Sequence, residues 1–319
     1  MNKILKFSLK IFIIALAALL AIVILVIGGL NIAKFFIYGD YYSIKDDVCK
    51  NPGLNDGFVC QGIAAADDDG VILVSGYMKD HSASRVYVTT EDNDCYYVEL
   101  KKNGKDFTGH AGGIATADGK AFIASEGKIY AISLAKLLAA DDGSAIDIGE
   151  GTDVNNEASF VYCDGAYLYV GEFHDGGAYT IVGHENQTAE GTHYAICSKY
   201  SLDDINTPIA VYSIRNKVQG ICFTPDGKIV MSTSYGLADS VYYVYEKSEI
   251  SATDETFDGA PLYYIDGPVK EIKGPAMAEG LDYYEGKVIT LTESASNKYI
   301  FGKLFGANKI VGLDLNEEK

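Results

Sequence analysis

The segment CQGIAAADDDGVILVSGY (60–77) decides the fold, because its plan recurs four more times along the chain. It contains a short apolar strand, a turn that ends in glycine and a second apolar strand. Asp-Gly or Glu-Gly between apolar runs is typical of β-hairpins, since glycine adopts the positive φ of the turn. The further copies are AGGIATADGKAFIASE (111–126), EASFVYCDGAYLYVGE (157–172), QGICFTPDGKIVMSTS (219–234) and EGLDYYEGKVITLTE (279–293).

Each hairpin is followed by a third apolar segment, and the first four also by a fourth. The third segments are RVYVTT (85–90), KIYAIS (128–133), HYAICSKYSL (193–202), VYYVYE (241–246) and KIVGLDL (309–315). The fourth segments are CYYVEL (95–100), AIDIG (145–149), VYSIR (211–215) and LYYID (262–266). The fifth repeat lacks a fourth segment. We predict that YYSIK (41–45), upstream of the first repeat, supplies it and closes a ring.

Four antiparallel strands in a unit of about 45–60 residues are typical of the blades of a β-propeller. The sequence therefore predicts an all-β propeller domain over 41–319, and five units with one borrowed strand favour five blades. Six blades would need one more unit within 248–275. A β-sandwich is the main competing fold, but it does not explain the repeat.

An uncharged apolar stretch precedes the propeller. Residues 11–30 read IFIIALAALLAIVILVIGGL, and at about 1.5 Å per residue they span roughly 30 Å of hydrocarbon. We predict a basic cytoplasmic tail over 1–10, a transmembrane signal-anchor helix over 11–33 and a juxtamembrane linker over 34–40. Lysines before the stretch indicate an N-terminus inside the cell membrane and a propeller outside. The alternative is a cleaved signal peptide, whose apolar region is usually only about 7–15 residues.

The composition excludes one class of partner. The chain has 26 basic and 44 acidic residues and a net charge of −18. Such a surface repels phosphate backbones, so we expect no nucleic-acid partner. The sequence also shows neither a Gly-x-Ser-x-Gly nucleophile motif nor a P-loop.

Two sets of residues recur in register near the predicted channel mouth. The first column precedes the small residue of each first strand and consists of Gln61, Gly112, Glu157, Gln219 and Glu279, with His110 two residues before Gly112. The second column lies seven residues after each turn glycine and consists of Tyr77, Glu126, Glu172, Ser234 and Glu293. A carboxylate at the end of a buried strand is costly unless it is paired.

These columns allow two interpretations. In the first, the glutamates of the second column accept hydrogen bonds from backbone amides of neighbouring blades. In the second, the columns build a ligand-binding cavity at the hub. The residues of that predicted cavity are Gln61, His110, Glu157, Glu172, Gln219, Glu279 and Glu293.

The repeated pattern of QGI, a DG turn and a second strand resembles bacterial β-propellers of the gluconolactonase/regucalcin group and NHL-repeat proteins, over about 41–316. GHAGGIA (109–115) and ESASNKYIFGK (293–303) are similar to uncharacterised anchored bacterial propellers. This resemblance implies a fold and no particular activity.

The gluconolactonase group holds a hub metal through Glu, Asn and Asp. The resemblance therefore implies that Glu157 with Asn155 or Asn156 would form part of a metal site, with a divalent cation such as Ca²⁺ as cofactor. The chain departs from that pattern, because no Asp matches at the end of a later first strand and Asp282 lies inside its strand.

The anchor, the ring and the missing catalytic motif favour a binding module that recognises a small molecule, glycan or protein through its channel mouth. One alternative is a hydrolase using hub glutamates, either metal-assisted on lactones or esters, or a glycosidase with Glu157 paired to Glu279 or Glu293. A second alternative is a structural or assembly protein with an inert hub.

Two further features remain open. The glycine-rich insertion HDGGAYTIVGHENQTAEGTH (174–193) is either a lid over the third blade or a variable surface loop. Of the six cysteines, Cys49 and Cys60 bracket the start of the propeller and form the candidate disulfide, since disulfides are permitted outside the membrane.

Overall fold

The computed structural model describes residues 3–299, 302 and 307–316, and within them one long helix precedes a five-bladed β-propeller. Helix α1 (Lys3–Ile37) contains the segment Phe7–Ile37, which is long and apolar enough to cross a membrane, and its apolar side chains are exposed. Residues 300, 301 and 303 of the ESASNKYIFGK stretch lie outside the described residues, as do 1, 2 and 317–319 at the ends of the predicted tail and propeller.

The chain enters the propeller through a second helix. Helix α2 (Gly39–Ile44) follows α1 after Tyr38 alone, and the closing strand β1 (Lys45–Lys50) follows α2 directly. The prediction that YYSIK is the closing strand was therefore wrong by about one strand length. Tyr38, Tyr41 and Ile44 are spaced by three residues and all are buried, so the apolar pattern there is that of a helix face.

The four main strands of blade 1 and of blade 2 pair antiparallel, and the first strand of each blade is innermost. Blade 1 contains β2 (Phe58–Ala66), β3 (Val71–Met78), β4 (Arg85–Thr89) and β5 (Cys95–Lys102), with the short β6 (Lys105–Asp106) at its edge. Blade 2 contains β7 (Gly113–Ala117), β8 (Lys120–Ser125) and β9 (Lys128–Ser133). After helix α3 (Leu134–Leu138) and β10 (Ser144–Asp147), β11 (Thr152–Asp153) completes blade 2.

Blades 3, 4 and 5 repeat this arrangement. Blade 3 contains β12 (Phe160–Cys163), β13 (Tyr167–Gly171), β16 (Ala195–Ser201) and β17 (Ala210–Ile214), with the hairpin β14 (Asn186–Thr188) and β15 (Gly191–His193) inserted after β13. Blade 4 contains β18 (Val218–Phe223), β19 (Lys228–Thr233), β20 (Ser240–Glu246) and β23 (Lys270–Gly274). Between β20 and β23 the chain forms β21 (Ser251–Phe257) and β22 (Ala260–Tyr264). Blade 5 contains β24 (Ala278–Tyr284), β25 (Lys287–Thr292) and β26 (Lys309–Leu313), and β1 completes it by pairing antiparallel with β26.

All five hairpins and all five third strands lie where the repeat predicted them, but two of the four fourth strands do not. AIDIG forms β10, which pairs parallel with β5 and so extends blade 1. LYYID lies in and just after β22, which pairs parallel with β17 and, with β21, extends blade 3. A short apolar strand can add to any open sheet edge, and its sequence does not say which. The described part of 248–275 thus enlarges blade 3 and completes blade 4 without forming a sixth blade.

The hub is narrow because its strands approach backbone to backbone. The inner strands contact one another in the closed order β2, β7, β12, β18, β24 and β2 again. A Cβ atom on Gly62 would lie 2.5 Å from the backbone nitrogen of Ile114, and one on Gly113 would lie 2.3 Å from that of Val161. The small residue repeated in each first strand is therefore a requirement of the ring.

Hydrophobic clusters between adjacent blades form the core. Aromatic pairs stack there, for example Tyr169 and Phe223, whose ring centroids lie 4.3 Å apart.

All six cysteines are free thiols, so the predicted Cys49–Cys60 disulfide is not formed in this structure. The Sγ atom of Cys60 lies 3.1 Å from Nδ2 of Asn51 and 3.4 Å from the Thr292 carbonyl oxygen.

Candidate functional site

Local irregularities in three inner strands aim the first column at the channel mouth. The ladder register shifts at Gln61 in β2, at Gln219 in β18, and at Glu279 and Gly280 in β24. A β-bulge leaves one residue without a cross-strand partner and redirects its side chain. In each of these strands, the polar residue before the hub glycine (Gln61, Gln219 or Glu279) therefore has no cross-strand partner.

Six of the seven predicted site residues line one cavity of about 560 Å³ at this end of the channel. They are Gln61, His110, Glu157, Gln219, Glu279 and Glu293. Glu172 is the exception, because it is fully buried behind the cavity wall. Its Oε1 atom accepts a hydrogen bond from the Ile196 backbone nitrogen at 2.9 Å and lies 2.5 Å from Nδ1 of His184. Glu172 therefore fits the first interpretation, in which a glutamate of the second column accepts hydrogen bonds from backbone amides.

The carboxyl groups of Glu279 and Glu293 both line the cavity, and the charge of Glu293 acts on Glu279. Glu279 is only 2% exposed, and among the described residues none donates a hydrogen bond to its carboxyl group. Glu293 begins a single 3₁₀ turn (Glu293–Ala295) after β25, and its Oε2 atom accepts a hydrogen bond from Nε2 of Gln61 at 2.9 Å. Because it lines the cavity and no described protein group donates to it, the Glu279 carboxyl group can form a hydrogen bond with a molecule inside the cavity.

Burial shifts the ionisation of both carboxyl groups. Burial first, and then the charge of Glu293, raise the pKa of Glu279 well above its ordinary value. Burial also raises the pKa of Glu293 to about 7, although hydrogen bonding by Tyr299, the charge of Lys298 and hydrogen bonding by Gln61 act in the opposite direction. Two interacting carboxyl groups titrate as one unit. The pair therefore retains a proton at neutral pH.

Aromatic rings and one lysine form the rim. The Lys298 ammonium lies 4.6 Å from the centre of the Tyr77 ring and 5.1 Å from that of Tyr299, and it donates a hydrogen bond to the Tyr77 hydroxyl. The His110 ring meets Tyr77 edge-on at 4.8 Å. Burial, and then the charge of Lys298, lower the pKa of His110, which keeps this imidazole neutral at pH 7. Sequence reasoning missed Lys298 and Tyr299, although both lie in the quoted stretch ESASNKYIFGK.

The insertion after β13 covers part of the cavity. Residues 178–181 of the insertion line the cavity, and the Tyr179 ring packs edge-on against Phe173 at 5.6 Å. Asp175 fixes the turn through Oδ1, which accepts hydrogen bonds from the backbone nitrogens of Gly177 at 2.7 Å and Tyr179 at 2.9 Å. The segment therefore lies over the hub as well as beside blade 3.

The asparagine side chains that the gluconolactonase resemblance implies as metal ligands form hydrogen bonds with other protein groups. The Asn156 side chain donates to the Val170 carbonyl oxygen at 2.8 Å and accepts from the Ala158 nitrogen at 2.9 Å, and Asn155 accepts from the Tyr200 hydroxyl at 2.6 Å. Glu157 alone of this set lines the cavity. Within the described ranges, no group of three or more His, Cys, Asp or Glu side chains is arranged to hold a metal ion.

A second cavity of about 700 Å³ lies among the hairpin turns at the opposite end of the channel. Asp282 in β24 lines it, and burial raises the pKa of this carboxyl to about 7. Both carboxylate oxygens are used, because Oδ2 accepts from the Ala65 nitrogen at 2.7 Å and Oδ1 from the Tyr283 nitrogen at 2.8 Å. The unpartnered buried carboxyl thus distinguishes the first cavity.

No protein-family model matches the chain, and no curated protein matches it. Similar solved structures are β-propellers. One is the PQQ-bound aldose sugar dehydrogenase from Streptomyces coelicolor, 17% identical, with 78% of this chain and 77% of that chain covered and a TM-score of 0.44. A GH43_1 enzyme from Xanthomonas citri is 11% identical, with 77% and 83% covered and a TM-score of 0.43. A gluconolactonase from Xanthomonas campestris is 11% identical, with 79% and 77% covered and a TM-score of 0.38. Similarity of this extent carries no information about activity.

Proposed function

We propose that this chain is a membrane-anchored binding module that holds a small polar molecule in the hub cavity, with its propeller outside the cell membrane. One observation carries the proposal: the Glu279 carboxyl group is buried, lines the cavity and has no hydrogen-bond donor among the described residues. A ligand that donates to Glu279 would remove the cost of that burial. The orientation rests on the lysines that precede the apolar helix.

The size and lining of the cavity support a small molecule. Ligand pockets commonly enclose about 300–1,000 Å³ and combine apolar walls with a few polar groups, and this cavity of about 560 Å³ falls within that range. Phe173 and Tyr179 form one wall, while Gln61 and the two deep glutamates supply directional groups. A purely structural ring would have no use for such a lining.

A thermal-shift screen of the full chain in a polyoxyethylene detergent tests the proposal. A ligand present at about one hundred times its Kd stabilises the folded protein by about 2.7 kcal/mol. We expect Glu279→Gln to lose the ligand response, and Glu249→Gln, a change at an exposed site in blade 4, to keep it. If Glu279→Gln and Glu293→Gln both keep every response, the hub is not the binding site.

A hydrolase is the second candidate function, favoured by the coupled carboxyl pair alone. Glycoside hydrolases use two carboxyl groups, one of which stays protonated at neutral pH and acts as the general acid. Assays with chromogenic glycosides test this reading. Turnover that disappears in Glu293→Gln but survives in Glu249→Gln supports it, and no turnover with any glycoside that binds rejects it.

A further inference from the structure

The charges of the hub cavity are unbalanced. Among the described residues, four glutamates (Glu126, Glu157, Glu279 and Glu293) and one lysine (Lys298) line it, so acidic groups outnumber the cation even with one proton retained by Glu279 and Glu293. His110 does not correct the imbalance, because burial and the charge of Lys298 lower the pKa of its ring. The protein as a whole carries a net charge of −18, so its field also attracts cations.

The deepest carboxyl group receives no compensation from the rim. The charge of Lys298 acts on Glu293, whereas the charge that acts on Glu279 is that of Glu293, which opposes ionisation. Since Glu279 is only 2% exposed, solvent does not stabilise its charged form either. A positive group is therefore what this pair lacks.

The rim already binds an ammonium group that belongs to the chain itself. Lys298 lies over the rings of Tyr77 and Tyr299 at distances within the range of cation–π attraction, which extends to about 6 Å. Three more aromatic rings line the same cavity, those of Phe173, Tyr179 and Tyr235. The aromatic walls and acidic floor are thus suited to cations that also carry apolar surface.

Building on the proposed function, we infer that the ligand of the hub cavity is an organic cation, with an ammonium group that reaches Glu279 and Glu293 and a carbon skeleton that lies against the tyrosines. A bare divalent ion fits the site less well. Ca²⁺ takes about 6–8 oxygen ligands, and the described residues show no cluster of three metal-ligating side chains. A cavity of about 560 Å³ also far exceeds the volume of one ion.

Calorimetric titration of the full chain in a polyoxyethylene detergent tests this inference with three probes of equal length. These are the five-carbon diamine cadaverine, the five-carbon diol and the five-carbon dicarboxylate glutarate. We expect cadaverine to bind and the other two not to bind. Glu279→Gln should weaken cadaverine binding at least about tenfold, whereas Glu249→Gln should leave it unchanged. Cadaverine binding should also release up to about one proton, measured in two buffers of different ionisation enthalpy.

A second variant separates this inference from its rivals. Lys298→Met removes the internal ammonium, so cadaverine should bind more tightly, by roughly threefold or more. An anionic ligand held by Lys298 would instead be lost. Binding of the diol or glutarate without cadaverine overturns the ligand class and leaves the hub as a binding site. Calcium binding that depends on Glu279, without cadaverine binding, assigns the cavity to a metal and also overturns the inference. No binding by any of the three probes overturns the inference, whereas the proposed function fails only if the thermal-shift screen also finds no ligand response that depends on Glu279 or Glu293.

Discussion

The Nε2 atom of Gln61 donates a hydrogen bond to Oε2 of Glu293 over 2.9 Å, and this contact joins blade 1 to blade 5 at the channel mouth. The two blades meet where the ring closes in sequence, since β1 completes blade 5 and the chain then continues into β2. The same contact fixes the carboxyl group of Glu293, whose charge acts on Glu279. The cavity is therefore complete only when blades 1 and 5 meet and close the ring.

The carboxyl pair predicts how stability depends on pH. In the unfolded chain the Glu293 carboxyl ionises near pH 4.5, and in the folded protein its pKa is about 7. Between these values the folded state binds more protons than the unfolded state, so the free energy of unfolding falls as the pH rises. We expect a loss of roughly 1–3 kcal/mol across this window.

The double variant Glu279→Gln/Glu293→Gln should remove the part of this slope that the pair causes, while the part caused by Asp282 remains. Its melting temperature should match that of the native chain near pH 4.5 and exceed it at pH 7, as expected when charged groups at a binding site are retained at the expense of stability. Thermal unfolding followed by circular dichroism at a series of pH values measures the difference. Parallel curves for the two proteins would show that the pair ionises normally.

The hub predicts a severe effect from a single methyl group. In Gly62→Ala the new Cβ would lie 2.5 Å from the Ile114 nitrogen and 2.7 Å from the Gly113 carbonyl carbon, both backbone atoms that cannot move independently of the ring. Overpacking of this kind costs about 1–3 kcal/mol. The matched control is Gly39→Ala in α2, where no atom lies within 4 Å of the added Cβ. Thermal unfolding should separate the two variants, and equal melting temperatures would mean that the inner strands are less tightly packed than described.

The insertion predicts a pH-dependent cover. Burial alone would lower the pKa of His184, but its hydrogen bond to Glu172 and the charges of Glu172, Asp258 and Glu185 raise it above 6.5. The His184–Glu172 ion pair therefore stabilises the insertion fully below about pH 6.5, and this stabilisation is lost as the pH rises through the folded pKa. Loss of one partner of a buried pair is costly, because the Glu172 carboxyl group would remain 0% exposed without its imidazole partner.

Hydrogen exchange of residues 174–184 measures this cover. After correction for the intrinsic rate, protection in the native chain should fall as the pH rises, and His184→Ala should show low protection at every pH. His81→Asn is the matched control, because His81 is exposed and asparagine tolerates its positive φ of 62°. Protection in His184→Ala equal to that of the native chain would contradict the role of the ion pair.

The sequence predicted the ring because the hairpin turns and hub glycines are local requirements that every blade repeats. It could not place AIDIG or LYYID, since strand addition to an outer edge depends on which edge remains open in three dimensions. Six of the seven residues predicted for the cavity line it, because the register of the strands repeats with the blades. Sequence reasoning missed Lys298 and Tyr179, which lie in irregular segments outside that register and reach the cavity only through tertiary packing.

The junction of helix α1 and the propeller predicts that the two form one unit. The sequence suggested a linker over 34–40, whereas the Tyr38 hydroxyl donates to Oδ1 of Asp239 at 2.9 Å and Tyr41, which is 3% exposed, stacks on Tyr242 at 6.0 Å. Tyr41→Ala should therefore destabilise the propeller itself, by about 3–5 kcal/mol as for other buried aromatic residues.

Val269→Ala is the control for Tyr41→Ala, since Val269 is 58% exposed in the loop before β23 and its truncation should change stability by less than about 0.5 kcal/mol. Thermal unfolding of the full chain in a polyoxyethylene detergent compares both variants with the native protein. If Tyr41→Ala and the native chain have the same melting temperature, residues 34–40 act as a flexible linker and the propeller can reorient relative to α1. If Tyr41→Ala melts earlier, α1 is fixed relative to the propeller, because this helix, which is long and apolar enough to cross a membrane, continues with a single intervening residue into a helix that belongs to the core.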